Sequence, residues 1–254
     1  MPRTVANGTS ERVGDREDVT TRRSGRYNAN VRTETPVNSI FLANMAALWR
    51  LDPRLAQQID DLSPEDRLIV APSKAGPLTA SVVTTDGRQI ALHSRYDPQR
   101  EACDFVQRLE RAEAGCVVLC GLGLGYHIPA LLEHFGEQTL IVVSEPDLVT
   151  IKTAMETLDL SVPLSAARLI LLTRVDKAQL HERLQPHAAE LMLGLVLAVP
   201  PAAREHQADF HADCRKVVTD FAAFAKMSVV TLVRNAAITC RNIANNLPTY
   251  VSTP

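Results

Sequence analysis

Three glycines at alternate positions, Gly121, Gly123 and Gly125, follow an apolar run, Cys116–Cys120, and lead at once into a helical pattern. Glycine lets the backbone turn tightly and come close to a ligand, and a helix N-terminus offers free N–H groups and positive dipole. The next apolar run, Thr139–Ser144, ends in two acids, Glu145 and Asp147. An acid at the end of the second strand can accept hydrogen bonds from ribose hydroxyls. Strand, glycine turn, helix, strand and acid are the parts of a Rossmann-type nucleotide pocket. The candidate ligand-binding residues are therefore Gly121, Gly123, Gly125, Tyr126 and Glu145.

The spacing narrows the ligand. Gly121-Leu-Gly-Leu-Gly is GxGxG; the third glycine of the dinucleotide fingerprint GxGxxG falls on Tyr126. That disfavours NAD and FAD. GxGxG is the spacing of class I methyltransferases, with Glu145 at the position of their ribose-binding acid, so S-adenosylmethionine is one candidate. Those enzymes carry an acid just before the first glycine, where this chain has Cys120. His127 is close enough to touch an anion at the turn, but a packing role is the simpler expectation. Asp147 is expected to cap the helix beginning at Leu148, which leaves Glu145 as the better ligand candidate. No metal site and no catalytic base can be assigned from spacing.

The elements that must position these residues alternate. Strands are expected at Cys116–Cys120, Thr139–Ser144, Arg168–Leu172 and Leu191–Val199, and helices at Tyr126–Phe135, Leu148–Leu158 and Lys177–Leu184. Strands apolar on both faces, separated by helices, predict a parallel sheet covered by helices. Residues 38–97 read as a small α+β subdomain. It opens with a helix capped by Asn38 or Ser39 and carrying Phe41, Met45, Leu48 and Trp49 at helical spacing. A helix opened by Pro53 follows, then three strands at 68–71, 79–85 and 89–93, with a hairpin at Asp86-Gly87. Asp97, Pro98 and Glu101 form a capping box for the helix that feeds the glycine segment. Residues 98–200 form the Rossmann-like domain and 201–247 a helical connector with an apolar stripe. Residues 248–254 read as a linker into a further domain.

Composition sets the class. The chain has 254 residues, 46 % of them hydrophobic, and a net charge of −2. That suffices for a core and gives no reason to expect nucleic acid as a partner. The five cysteines form no CxxC pair, so reduced core thiols in a cytoplasmic protein are expected. Residues 1–37 are polar and aperiodic, without the apolar core of a signal peptide, and read as a disordered leader. No stretch is long enough to span a membrane.

Several segments together carry a resemblance: FLANMAAL, HSRYDPQREA, VLCGLGLGYHIPAL, IVVSEPD and RNAAITCRNIANNLPTYVSTP. They are similar to the N-terminal region of the motility-accessory-factor glycosyltransferases. That group shares a central domain similar to 6-hydroxymethylpterin diphosphokinase. The resemblance implies a bacterial, cytoplasmic protein whose relatives transfer nonulosonic acids from CMP-activated donors to flagellin Ser or Thr. A CMP-sugar is then the second candidate ligand, handled through a downstream domain, and flagellin or another protein the expected partner. The family's GPSL-type segment is not found in this chain, so catalysis is expected to reside beyond Pro254. The same resemblance offers His93, Ser94, Tyr96 and Asp97 as the rim of the glycine pocket; a strand end, a turn and a capped helix explain the segment as well. A non-catalytic interaction module using the 202–247 helix is a further possibility.

Overall fold

The computed structural model describes residues 38–63, 67–111 and 114–252. The expected leader at 1–37 lies outside the described residues. Asn38 caps α1 (Ser39–Leu51), its side-chain oxygen accepting the Ile40 and Phe41 amides. Pro53 opens α2 (Pro53–Asp60). Three antiparallel strands follow: β1 (Leu68–Pro72), β2 (Leu78–Val83) and β3 (Gln89–Ala91). Asp97 then caps α3 (Pro98–Gln107) by accepting the Arg100 amide. Replacing Asp97 by alanine is expected to cost about 1 kcal/mol, the usual value of such a cap, read as a lower midpoint of urea unfolding with unchanged slope.

Four parallel strands make the second sheet: β4 (Cys116–Cys120), β5 (Leu140–Ser144), β6 (Leu169–Leu172) and β7 (Leu195–Ala198). Between them lie α4 (His127–Phe135), α5 (Leu148–Thr157), the short α6 (Ser161–Ser165), α7 (Lys177–Leu184), a 3-10 turn (Gln185–His187) and α8 (Ala188–Leu193). The apolar run Leu191–Val199, expected as one strand, is divided. Its first three residues end α8, Gly194 breaks the chain, and β7 begins at Leu195. An apolar run of that kind carries no periodicity that separates buried helix from buried strand. After α9 (Pro201–Glu205) comes α10 (Ala208–Ser252), which continues beyond Leu247 with Pro248 inside it.

Alternation along the parallel strands sorts the core into two layers. Val117, Leu119, Ile141, Val143, Leu169 and Leu171 face one side, with Met45, Leu48, Leu55, Ile128, Ile151 and Met155. Cys116, Val118, Leu140, Val142, Ile170 and Leu172 face the other, with Leu180, Leu191, Cys214 and Val218. The architecture is α/β, with helices on both faces of the parallel sheet. Within the segment 38–97, α1 and α2 pack on α5 and α6 rather than on the β-meander. Asn44, fully buried, fixes that contact: its amide donates to the Met155 and Leu158 carbonyls and its oxygen accepts the Leu160 amide. Of the five cysteines expected as core thiols, Cys116, Cys120 and Cys214 are buried and Cys103 and Cys240 exposed, and burial pushes the Cys116 thiol up to about 12.

The first half of α10 buries Cys214, Val218, Phe221 and Ala225 against this sheet. In its second half the described side chains from Val230 to Leu247 are exposed, so Leu232 and Ile238 of the expected stripe face outward. No helix among the described residues is long and apolar enough to cross a membrane.

Candidate functional site

The parallel strands lie in the order β6-β5-β4-β7. The chain therefore builds outward from β4 in one direction and then returns to β4's other side. The loops leaving the carboxyl ends of β4 and β7 diverge there, which is where open α/β sheets hold their ligands. The glycine turn leaves β4; Pro200 and α9 leave β7.

All three glycines adopt backbone that side chains avoid, with φ of +78° at Gly121, +54° at Gly123 and +87° at Gly125. Gly123 also lies against the imidazole of His93, so that a Cβ there would overlap the ring. A Cβ at Gly125 would press on Leu158 at 3.3 Å. Glycine at 123 and 125 thus answers to conformation and packing together.

The turn's amides are largely taken by the protein itself. Glu145 reaches back from the end of β5 and accepts the Leu122 amide on one carboxylate oxygen and the Asp147 amide on the other, both at 3.1 Å. His93 Nε2 accepts the Leu124 amide at 2.8 Å. The Gly121 and Gly125 amides donate to the Ser144 and Leu122 carbonyls. Tyr126 is buried, and its hydroxyl donates to the Leu78 carbonyl at 2.8 Å, tying the turn to β2. Asp147 caps α5 by accepting the Val149 amide.

Burial dominates the electrostatics. The Glu145 carboxyl is pushed up to about 7 because it sits away from water, against the two amide bonds and despite their opposite pull. His93 and His127 are 3 % and 4 % exposed and stack with ring centres 5.7 Å apart. Burial lowers His93 to about 3, helped by His127, and lowers His127 to about 4. Because His93 Nε2 accepts a backbone proton, the neutral ring carries its own proton on Nδ1. That Nδ1, and Nδ1 of His127, find no hydrogen-bond partner. On the other side of the turn Ser144 Oγ and His211 Nδ1 are 2.8 Å apart, and burial lowers His211, with His206 and Arg215 adding to it.

His93, His127, His206, His211 and Glu145 line a cavity of about 20 Å³, the room of about one water molecule. Against its outer side lies a groove of about 840 Å³ between the HSRYDPQREA segment and the Pro200-Pro201 turn. The structure thus brings Gly121, Gly123, Glu145 and their neighbours to one place, with Tyr126 packed behind His93. Of its histidines, the sequence offered His93 for the rim and His127 for packing, and did not point to His206 or His211. His127 shows the expected packing role, edge-on to Phe105 at 5.3 Å. The signal for His93 lies in HSRYDPQREA, but a strand end and a capped helix account for that segment locally, and nothing local shows that this one side chain leaves it to meet the turn 31 residues on. Among the described residues, no group of three or more His, Cys, Asp or Glu is placed to hold a metal ion.

No protein-family model matches the chain, and no curated protein does. Among solved structures, a MAf glycosyltransferase from Magnetospirillum magneticum AMB-1 is similar, with 17 % identity and a TM-score of 0.46. The match covers 70 % of this chain and 35 % of that one, so the chain spans about a third of that protein's length.

Proposed function

We propose that this chain is the Rossmann-like module of a bacterial glycosyltransferase of the motility-accessory-factor kind, acting in the cytoplasm. It serves the transfer of a nonulosonic acid from a CMP-activated donor to Ser or Thr of flagellin. One observation carries the reading. Two of the segments on which the resemblance rests, HSRYDPQREA and VLCGLGLGYHIPAL, meet through the 2.8 Å bond from the Leu124 amide to His93, over a glycine that leaves that ring its space. Each segment explains a residue in the other, so the two motifs form one device rather than two coincidences. The ligand role of Gly121, Gly123, Gly125, Tyr126 and Glu145 belongs to the same proposal. At the turn itself Glu145 and His93 hold the Leu122 and Leu124 amides.

The test is a calorimetric titration of the protein with flagellin and, separately, with S-adenosylmethionine. Saturable binding of flagellin, and no heat from millimolar S-adenosylmethionine, is the expected result. Heat from S-adenosylmethionine and its homocysteine product, with none from flagellin, assigns the chain to methyl transfer instead and overturns the reading.

A further inference from the structure

The second half of α10 carries an apolar stripe that the protein leaves uncovered. Val229, Val233, Ala236, Cys240, Ile243 and Leu247 recur three and four residues apart, on one side of the helix, and all are exposed. In the first half only one side is buried: Cys214, Val218, Phe221 and Ala225 pack on the parallel sheet. The neighbouring flank, Lys216, Thr219, Asp220 and Ala223, is exposed.

The charges beside the stripe point to its partner. Residues seven apart on a helix lie within about 20° of one another. One such column of α10 reads Asp213, Asp220, Met227, Arg234 and Arg241, all exposed. None of the four charged groups makes an ion pair among the described residues. No acid follows Asp220 in this helix. The column therefore inverts its charge about Met227, with two acids before it and two bases after it.

Such a column is complementary to itself when two copies run antiparallel, because flanks of the same kind then face each other. With a two-fold axis at Met227, Asp220 falls opposite the partner's Arg234 and Asp213 opposite the partner's Arg241. Symmetry repeats both pairs. A parallel pair would instead set Arg234 and Arg241 against the column that holds Val229 and Ala236, and leave them unmatched. The antiparallel register also lays the stripe on the exposed flank of the other copy. Val233 meets the partner's Ala223, Ala237 meets the partner's Thr219, and Val230 lies along the aliphatic stem of the partner's Lys226.

We propose that two copies of this chain associate through antiparallel pairing of α10 about Met227, each second half lying along the first half of the other. The contact is isologous, so it closes at two copies. Apolar burial supplies the affinity, and the four acid–arginine pairs set direction and register. The pairing goes beyond the transferase reading and does not depend on it.

Sedimentation equilibrium of the wild-type protein and of two variants, Arg234→Asp/Arg241→Asp and Asp213→Arg/Asp220→Arg, tests the pairing. The wild type should be a dimer. In either variant all four pairs become like-charged, and dissociation should be favoured by about tenfold or more. An equimolar mixture of the two variants should recover the dimer, since one column is then wholly acidic and the other wholly basic. The substituted residues are exposed, and thermal melting followed by circular dichroism checks that both variants fold. A wild type that stays monomeric up to about 0.1 mM overturns the proposal, and leaves the stripe to a different protein. So does a dimer whose affinity the variants leave unchanged, or a mixture of folded variants that stays monomeric. If either variant melts early, the chain with all four charges reversed decides. Its column is self-complementary again, so a dimer supports the pairing and a monomer overturns it.

Discussion

Replacing Gly123 by alanine is expected to lower the stability by about 4 kcal/mol, a large part of what a domain possesses. Three effects combine. Residue 123 has φ of +54°, and a Cβ in that conformation costs about 1 kcal/mol. The new methyl overlaps the His93 ring and forces the ring or the turn to move, at about 1–3 kcal/mol. Moving either breaks the bond from Leu124 to His93 and leaves a buried amide unpaired, at about 1–3 kcal/mol more. For a chain of this size the melting temperature should fall by roughly 8–16 °C. Gly87→Ala is the control, because Gly87 also has positive φ, +79°, but nothing lies within 4 Å of its added Cβ. That variant should lose only about 1 kcal/mol. Equal losses at the two positions would show that His93 does not press on the turn. Combining Gly123→Ala with His93→Ala should cost less than the sum of the single changes, since the overlap is removed.

Acidification supplies the second large effect, and here two groups pull against each other. Glu145 has a folded pKa of about 7 against an ordinary 4.5, so the folded state holds its proton more tightly. Its contribution is full below pH 4.5 and is lost as pH rises through 7. His93 and His127 are displaced the other way, to about 3 and about 4 from 6.5. The unfolded chain binds those two protons first, so stability is lost as pH falls below 6.5. Between pH 7 and pH 5 the two histidines together should remove about 4 kcal/mol, while Glu145 restores about 2. The wild-type protein should then lose about 2 kcal/mol over that interval from these three groups. Glu145→Gln, which cannot titrate, should lose about 4 kcal/mol from the histidines alone. Urea unfolding at pH 7, 6 and 5 reads the difference. Parallel pH profiles for the two proteins would mean that the Glu145 carboxyl titrates in its ordinary range.

Both predictions concern residues that the sequence separates widely and the fold joins. The glycine turn, its strand and its helix were legible because they are local. Apolar runs, GxGxG spacing and a strand-end acid all lie within thirty residues. The caps at Asn38, Asp97 and Asp147 were legible for the same reason, since a cap bonds to amides two or three residues on. The break at Gly194 was not, because a continuous apolar run carries no periodicity that separates the end of a helix from the start of a strand.

What the sequence by itself determined is the class of this protein: a parallel α/β sheet, a turn that only glycine can make, and well-capped helices around it. Periodicity and backbone sterics act over a few residues, so they are written where they act. What only the tertiary structure decided is the content of the site. Strand order placed β7 beside β4 and so brought Pro200 and α9 against the glycine turn. That order depends on which strands bury each other best, and no single strand states it. The same assembly carried His93 onto Gly123 and buried Glu145 against the turn's own amides. Glu145, the acid that the sequence offers to ribose hydroxyls, is in the fold a brace of the turn as well, because a carboxyl shut away from water takes the nearest unpaired N–H groups.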